Sequence, residues 1–236
     1  MKKISCIIPA YNEEPRIGNI LKVVENHPLI DEIIVVNDAS SDNTENEVLK
    51  FKGIKIVRHE KNLGKSRSML DGCEIAKNDS VMFLDADLIG LTTNNITQLV
   101  RPVLDGQVDM TMTICNYDFI LNAFSKLLGV EIPNGERVIK KEIAKKILKN
   151  ATGYSVELQM NQHFLEYNLK FIVISWLNVA APSKRKKNGL EGIFLTFIGL
   201  KQLITNVSLF QIIKQMLVMG KLSTRYKKEL KLNIGP

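Results

Sequence analysis

Histidine and cysteine are scarce, with three of each among 236 residues. Cys6, Cys73 and Cys115 are too few and too scattered for a disulfide framework, and none stands at a metal-ligand spacing. Cys6 and Cys115 fall in apolar, strand-like runs and are expected in the core. Aromatic residues reach only 6%, and no binding motif interleaves the basic residues, so no nucleic-acid partner is expected. No secretory leader is expected either. The opening Met-Lys-Lys-Ile-Ser-Cys-Ile-Ile reaches Pro9 and then charge before an apolar stretch of signal length can form, which predicts a cytoplasmic location. Glycine-rich phosphate loops are absent too. No G-x-G-x-x-G follows the first apolar run, and Gly64-Lys65 lacks the P-loop spacing. What is present is ordinary for a globular chain: 45% hydrophobic and 24% charged residues exclude disorder, collagen and coiled coil as whole-chain descriptions. The length allows one large domain, or one domain with an appendage.

The net charge of +7 is unevenly placed. Residues 184–236 carry eleven basic and two acidic side chains, whereas residues 1–183 carry 21 basic and 23 acidic ones. The tail is also apolar, since Lys201 and Lys214 are the only charges between Gly192 and Met219. Its longest uncharged run, Gln202–Ile213, falls well short of the roughly 18 residues of a spanning helix. Lys184-Arg185-Lys186-Lys187 precede this stretch, and Lys221, Arg225, Lys227 and Lys228 follow it. Two readings stay open: a helix lying on the inner face of a membrane with its basic residues at the headgroups, or a helix docked on the body. The expected division is a domain over 1–183 and a basic, amphipathic helical appendage over 184–236.

Hydrophobic periodicity alternates along the first half. Strands are predicted at Ile4–Pro9, Glu32–Val36, Ile54–Val57, Ser80–Leu84 and Val108–Ile114. Helices are predicted at Glu13–Asn26, from Ser40 through Leu49, at Gly64–Lys77 and at Thr93–Leu104. Such alternation means βαβ units, hence an α/β fold with a mostly parallel central sheet and flanking helices. Further on, Lys140–Lys149 and Ser155–Asn168 read as helices, and Phe171–Ser175 and Trp176–Ala180 as extended.

Ligands of parallel α/β sheets bind beyond the carboxyl ends of the strands. Four polar clusters stand at such ends: Pro9-Ala10-Tyr11-Asn12-Glu13, Asn37-Asp38-Ala39-Ser40-Ser41-Asp42, Asn62-Leu63-Gly64-Lys65 and Asp85-Ala86-Asp87. Any one of them could be a turn with a helix cap, but four in succession point to one crevice. Asp85 and Asp87 would project to the same side of an extended segment. Two carboxylates so placed suit Mg²⁺ or Mn²⁺ shared with substrate phosphates. The bland reading is a solvated acidic turn. Gly64-Lys65 would open a helix whose N-terminus and lysine could hold a diphosphate.

In order and spacing these four clusters resemble the nucleotide-sugar half of family 2 glycosyltransferases of the GT-A, Rossmann-like fold. The likeness continues through Gly135-Glu136-Arg137-Val138 and Gly153-Tyr154-Ser155-Val156-Glu157-Leu158, which are similar to the acceptor side of dolichyl-phosphate mannosyltransferases and glucosyl-3-phosphoglycerate synthases. The resemblance implies a nucleotide-sugar donor and site roles. Pro9, Tyr11 and Glu13 would line the base and ribose pocket. Asp38 would bond base or ribose, and Gly64, Lys65 and Ala86 would lie along the diphosphate and sugar. Asp85 would contact ribose or sugar and help bind the metal, and Asp87 would ligate it. Arg137 would grip an acceptor phosphate, and Glu157 would touch acceptor or sugar.

Two departures accompany the likeness. Many relatives complete the metal site with a histidine after the last core strand, but Asn178–Ser183 contains none, which implies either a low metal affinity or Asn178 or water in its place. The chain also lacks any Glu-Asp dipeptide, the usual source of a general base for a hydroxyl acceptor. An acceptor that is already an anion needs no base. The expectation is therefore metal-dependent transfer of a hexose from UDP-glucose or GDP-mannose to a phosphate-bearing acceptor, polyprenyl phosphate first. A retaining transferase to 3-phosphoglycerate is the alternative, with a silent nucleotide-binding protein at a membrane surface as a third. Trp176 could stack on a sugar or sit in the core.

Overall fold

The computed structural model describes residues 3–116, 135–149, 156–180 and 209–229. Strand β1 (Ile4–Ala10) is buried along nearly its whole length, as is β2 (Ile30–Asn37). Continuous apolar runs of this kind belong to strands covered on both faces. With β3 (Lys55–Arg58) and β4 (Ser80–Phe83) they form four parallel strands in the order β3-β2-β1-β4. Helix α1 (Glu14–Val24) buries Ile17, Ile20, Leu21 and Val24, the stripe read from the sequence. Helices α2 (Thr44–Leu49) and α3 (Lys65–Ile75) complete the next two crossovers. Helix α4 (Thr93–Leu104) starts at a capping box of Thr92 and Asn95 and leads to β5 (Met110–Asn116).

The second half departs from the expected pattern at one element. Arg137–Lys140 forms strand β6, antiparallel between β4 and β5. With only four residues and a cation at each end, it has too little apolar signal to be read from sequence. Helix α5 (Lys141–Leu148) follows directly, then α6 (Val156–Glu166). The two extended pieces expected after it are one strand, β7 (Phe171–Ala180), parallel to β5, with a register irregularity opposite its end. The complete order is β3-β2-β1-β4-β6-β5-β7. Because β6 runs backwards, its first residue Arg137 lies opposite Phe83, the last residue of β4. The edge where β1, β2 and β4 end therefore also receives the entry into β6.

Helix α7 (Leu209–Glu229) is the described part of the segment 184–236. It docks on β7: Val173 N–H donates to Ser223 Oγ at 2.8 Å, and the rings of Phe171 and Tyr226 meet edge to face at 5.9 Å. Met219, Ser223 and Tyr226 are buried, while Leu217, Val218, Lys221, Arg225 and Lys228 face outward. The basic run Lys184–Lys187 lies outside the described residues. Among the described residues no helix is long and apolar enough to cross a membrane. Cys6 and Cys73 are buried thiols, raised by that burial; the side chain of Cys115 lies outside the described residues. Trp176 is fully buried on β7, so the sugar-stacking alternative gives way to a core position.

Candidate functional site

The loops beyond β1 and β2 are stitched together by their own polar side chains. Asn12, in a left-handed conformation, accepts from Ser41 N–H at 2.8 Å, and its own N–H donates to Ser40 Oγ at 3.0 Å. Glu13 N–H donates to Thr44 Oγ1 and Glu14 N–H to Asp42. Serine, asparagine and aspartate compete well for backbone groups in turns. Here they fix one side of a cleft of about 450 Å³, within the usual range for small-molecule sites. Pro9, Ala10, Tyr11 and Glu13 line that side. The Glu13 carboxylate also accepts from Arg16 Nε at 2.8 Å, and Tyr11 is half exposed.

Asp38 lines the same cleft, but its carboxylate is engaged. Leu63 N–H donates to Oδ1 at 2.7 Å and Gly64 N–H to Oδ2 at 2.8 Å. The expected bond from Asp38 to base or ribose thus meets a different use, in which the side chain holds the third loop in place. Gly64 caps α3, and Lys65 is the first residue of that helix.

Lys65 reaches across the floor. Its Nζ lies 2.7 Å from Asp85 Oδ1, at the end of β4, and 3.0 Å from Glu157 Oε1, in the first turn of α6. Burial would lower the Lys65 ammonium, but the two carboxylates outweigh it and hold the group above the ordinary lysine range. Burial would likewise raise Glu157, yet Lys65 and then Arg137 keep its carboxyl below the usual range. Asp85 and Asp87 both line the cleft, flanking the buried Ala86. The chain turns at Ala86-Asp87 instead of staying extended as expected.

Gly135 and Glu136, quoted from the sequence only within the likeness, prove to be structural parts of this floor. A Cβ on Gly135 would stand 2.5 Å from Lys65 Nζ and 3.3 Å from both Asp85 oxygens, so a larger residue there would push the lysine head away from its present place in the ion pair. The one available signal was the Asn134-Gly135 pair, a turn dipeptide. Glu136 is fully buried and accepts from Thr113 Oγ1 at 2.7 Å. Burial first, then the Asp85 charge, push its carboxyl up to about 7 against the pull of Thr113 and Lys65.

Arg137 differs from its expected place. It is fully buried, donates to Gly135 O at 3.2 Å, and is not part of the described lining of the cleft. Its charge helps to hold the Glu157 carboxyl low. Lys140 and Lys141 stand at the far end of β6, where Lys140 faces Asp109 and Lys141 bonds Ala76 O. Asn178 is engaged with neighbouring groups. Its amide bonds Gly90 O at 3.1 Å and Asn95, tying β7 to the loop after Asp87. His27 bonds Thr93 O and Thr97 near the start of α4, and His163 lies against Tyr167. Tyr154 and its neighbours up to Ser155 lie outside the described residues.

The donor set available to a metal is oxygen only. Asp85 and Asp87 supply two carboxylates to the cleft, and among the described residues no group of three histidine, cysteine or acidic side chains is arranged to hold a metal ion by itself. A hard divalent cation fits such a pair when substrate phosphates and water complete its shell.

The model of the family described as glycosyl transferase family 2 matches residues 5–163. An uncharacterized protein of Methanocaldococcus jannaschii is 29% identical over 192 residues, covering 69% of this chain and 80% of that one. A dolichyl-phosphate beta-glucosyltransferase of Trichomonas vaginalis is 33% identical over 117 residues, 42% of this chain and 36% of the relative. The chain spans only about a third of that relative's length. Among solved structures, the glucosyl-3-phosphoglycerate synthase of Mycobacterium tuberculosis, in complex with Mn²⁺, UDP and glucosyl-3-phosphoglycerate, superposes with a TM-score of 0.58 at 25% identity. That match covers 74% of this chain and 70% of the synthase.

Proposed function

From the premise that the chain belongs to glycosyl transferase family 2 and has the GT-A fold, we propose that it transfers a hexose from UDP-glucose or GDP-mannose to a phosphate-bearing acceptor. The observation that carries this reading is Lys65, set at the start of α3 between Asp85 and Glu157 on the floor of the cleft. Pro9, Tyr11 and Glu13 form the wall for base and ribose, and Asp38 keeps the Leu63–Gly64 backbone in position below the diphosphate. Lys65 faces the diphosphate and the sugar. Asp87, with Asp85, is the place for Mg²⁺ or Mn²⁺. The ion would supply Lewis-acid stabilisation of the departing nucleoside diphosphate.

A depressed Glu157 carboxylate is a poor proton acceptor at neutral pH, which supports an acceptor that arrives as an anion. Polyprenyl phosphate at the inner membrane face is the first choice. The likeness to the dolichyl-phosphate transferase and the outward Lys221, Arg225 and Lys228 of α7 support it. The resemblance in fold to a synthase crystallised with glucosyl-3-phosphoglycerate favours a second reading, a small phosphorylated acceptor.

A thermal-shift panel tests the donor site: UDP, GDP and their sugar adducts, each with Mn²⁺, Mg²⁺ or EDTA. A ligand that binds the folded state at about 100 times its Kd adds about 2.7 kcal/mol of apparent stability. The expected outcome is a shift with one nucleotide family that EDTA removes. No shift with any of them would sink the reading. Labelled donor then separates the acceptors, since transfer to polyprenyl phosphate moves label into the organic phase and transfer to 3-phosphoglycerate does not.

A further inference from the structure

Behind the wall of the cleft lies a buried ring that the chemistry above does not use. His59 follows β3, and its backbone N–H donates to Asn37 O at 3.0 Å. Its Nδ1 is 2.7 Å from Asp38 Oδ1 and its Nε2 is 3.0 Å from Asp71 Oδ2. Both ring nitrogens therefore face carboxylate oxygens. The side chains of His59 and Asp38 are each only 5% exposed. Beyond Asp71, Arg67 Nε closes the chain at 2.8 Å. The connection thus runs Arg67–Asp71–His59–Asp38 and ends on the N–H groups of Leu63 and Gly64.

A buried carboxylate needs all its donors to stay where it is, and losing one leaves charge unsatisfied. Asp38 Oδ1 is shared between His59 and the Leu63 N–H, so the ring fixes that oxygen from the side opposite the cleft. We infer that His59 is a positioning residue of the donor site: through Asp38 it sets the Leu63–Gly64 backbone and the start of α3 that carries Lys65. This rests on the reading of the cleft as a nucleoside-diphosphate site. His59 itself does not line the cleft, so its effect falls on ligand affinity and not on a bond made or broken.

The test uses the full chain with His59→Leu and His59→Gln. Glutamine can still donate to Asp38; leucine cannot. Amide hydrogen exchange without ligand is read at Leu63 and Gly64. Calorimetry measures UDP and GDP binding in the presence of Mn²⁺. In His59→Leu, the two amides should exchange about tenfold faster while the amides of β1 and β4 keep their protection, and the nucleotide that the wild type binds should bind about tenfold more weakly. His59→Gln should recover most of both effects. Unchanged exchange at Leu63 and Gly64 in a folded His59→Leu protein would overturn the inference. So would equal loss of protection throughout the sheet in both variants, which would make His59 a residue of the fold alone. If the wild type binds neither nucleotide, the donor-site role falls together with the proposed function. A local exchange change would then leave His59 only as a brace for the loop.

Discussion

Glu136 is a carboxyl group with water on no side, held under Asp85 and Lys65 by the hydroxyl of Thr113. Its folded value, about 7, lies above its ordinary value of 4.5, so the folded protein carries an extra proton between them. Stability from this group is therefore greatest below pH 4.5 and is lost as pH rises through 7. Glu136→Gln keeps an oxygen for Thr113 and removes the titration. The variant should melt a few degrees above wild type at pH 8 and close to it at pH 5, as followed by circular dichroism across that range. A wild-type melting curve already flat over this interval would contradict the assignment. At this scale the sequence was readable by residue type more than by role. Asp38 is a carboxylate at a strand end whether it meets a ribose or two backbone N–H groups, and nothing in its neighbours distinguishes the two. Arg137 reads as a phosphate ligand by residue type, and its complete burial is not legible there.

Helices and parallel strands were legible because each repeats its signal several times. The stripe of α1 and the apolar run of β2 are examples. β6 gives one apolar pair, Val138-Ile139, and its direction depends on what it pairs with, a long-range property. Packing distances were hidden too. Helix α3 lies against β1 and β2 through Gly72, where a Cβ would collide with Ile7 Cγ2 and press on Val36. Ile7 is β-branched and fully buried, with little freedom to yield. Gly72→Ala should therefore lower unfolding stability by roughly 1–3 kcal/mol from overpacking, less the fraction of a kcal/mol that alanine returns as a better helix former. Urea denaturation measures this directly. A stabilised variant would mean that α3 can move away from the sheet. Since α3 begins at Lys65, the same substitution should weaken nucleotide binding in proportion.

For the whole molecule, the uneven charge suggested a C-terminal appendage but gave no sign of how its helix docks. The described helix of that segment shares the core through Met219 and Tyr226. Tyr226→Ala removes a ring that meets Phe171 edge to face and should cost about 3 kcal/mol. For a chain of this size that is a drop in Tm of roughly 6–12 °C. A helix held mainly by lipid would instead give little change in Tm without vesicles and a loss of sedimentation with anionic ones. The cleft, by comparison, was legible as a place because strand ends in a parallel sheet converge whatever their side chains. Its internal wiring was not.

The ion pairs of Lys65 have a consequence for what the cleft will accept. A lone phosphate arriving there meets a lysine already matched by two carboxylates, and displacing it would leave those acids facing the newcomer. On the proposed reading, a divalent cation arriving with the nucleotide would be held by Asp85 and Asp87 and would keep that acidic charge matched while Lys65 turns to the diphosphate. On the same reading, the resting floor would favour a nucleotide that arrives with its cation over the same nucleotide without one.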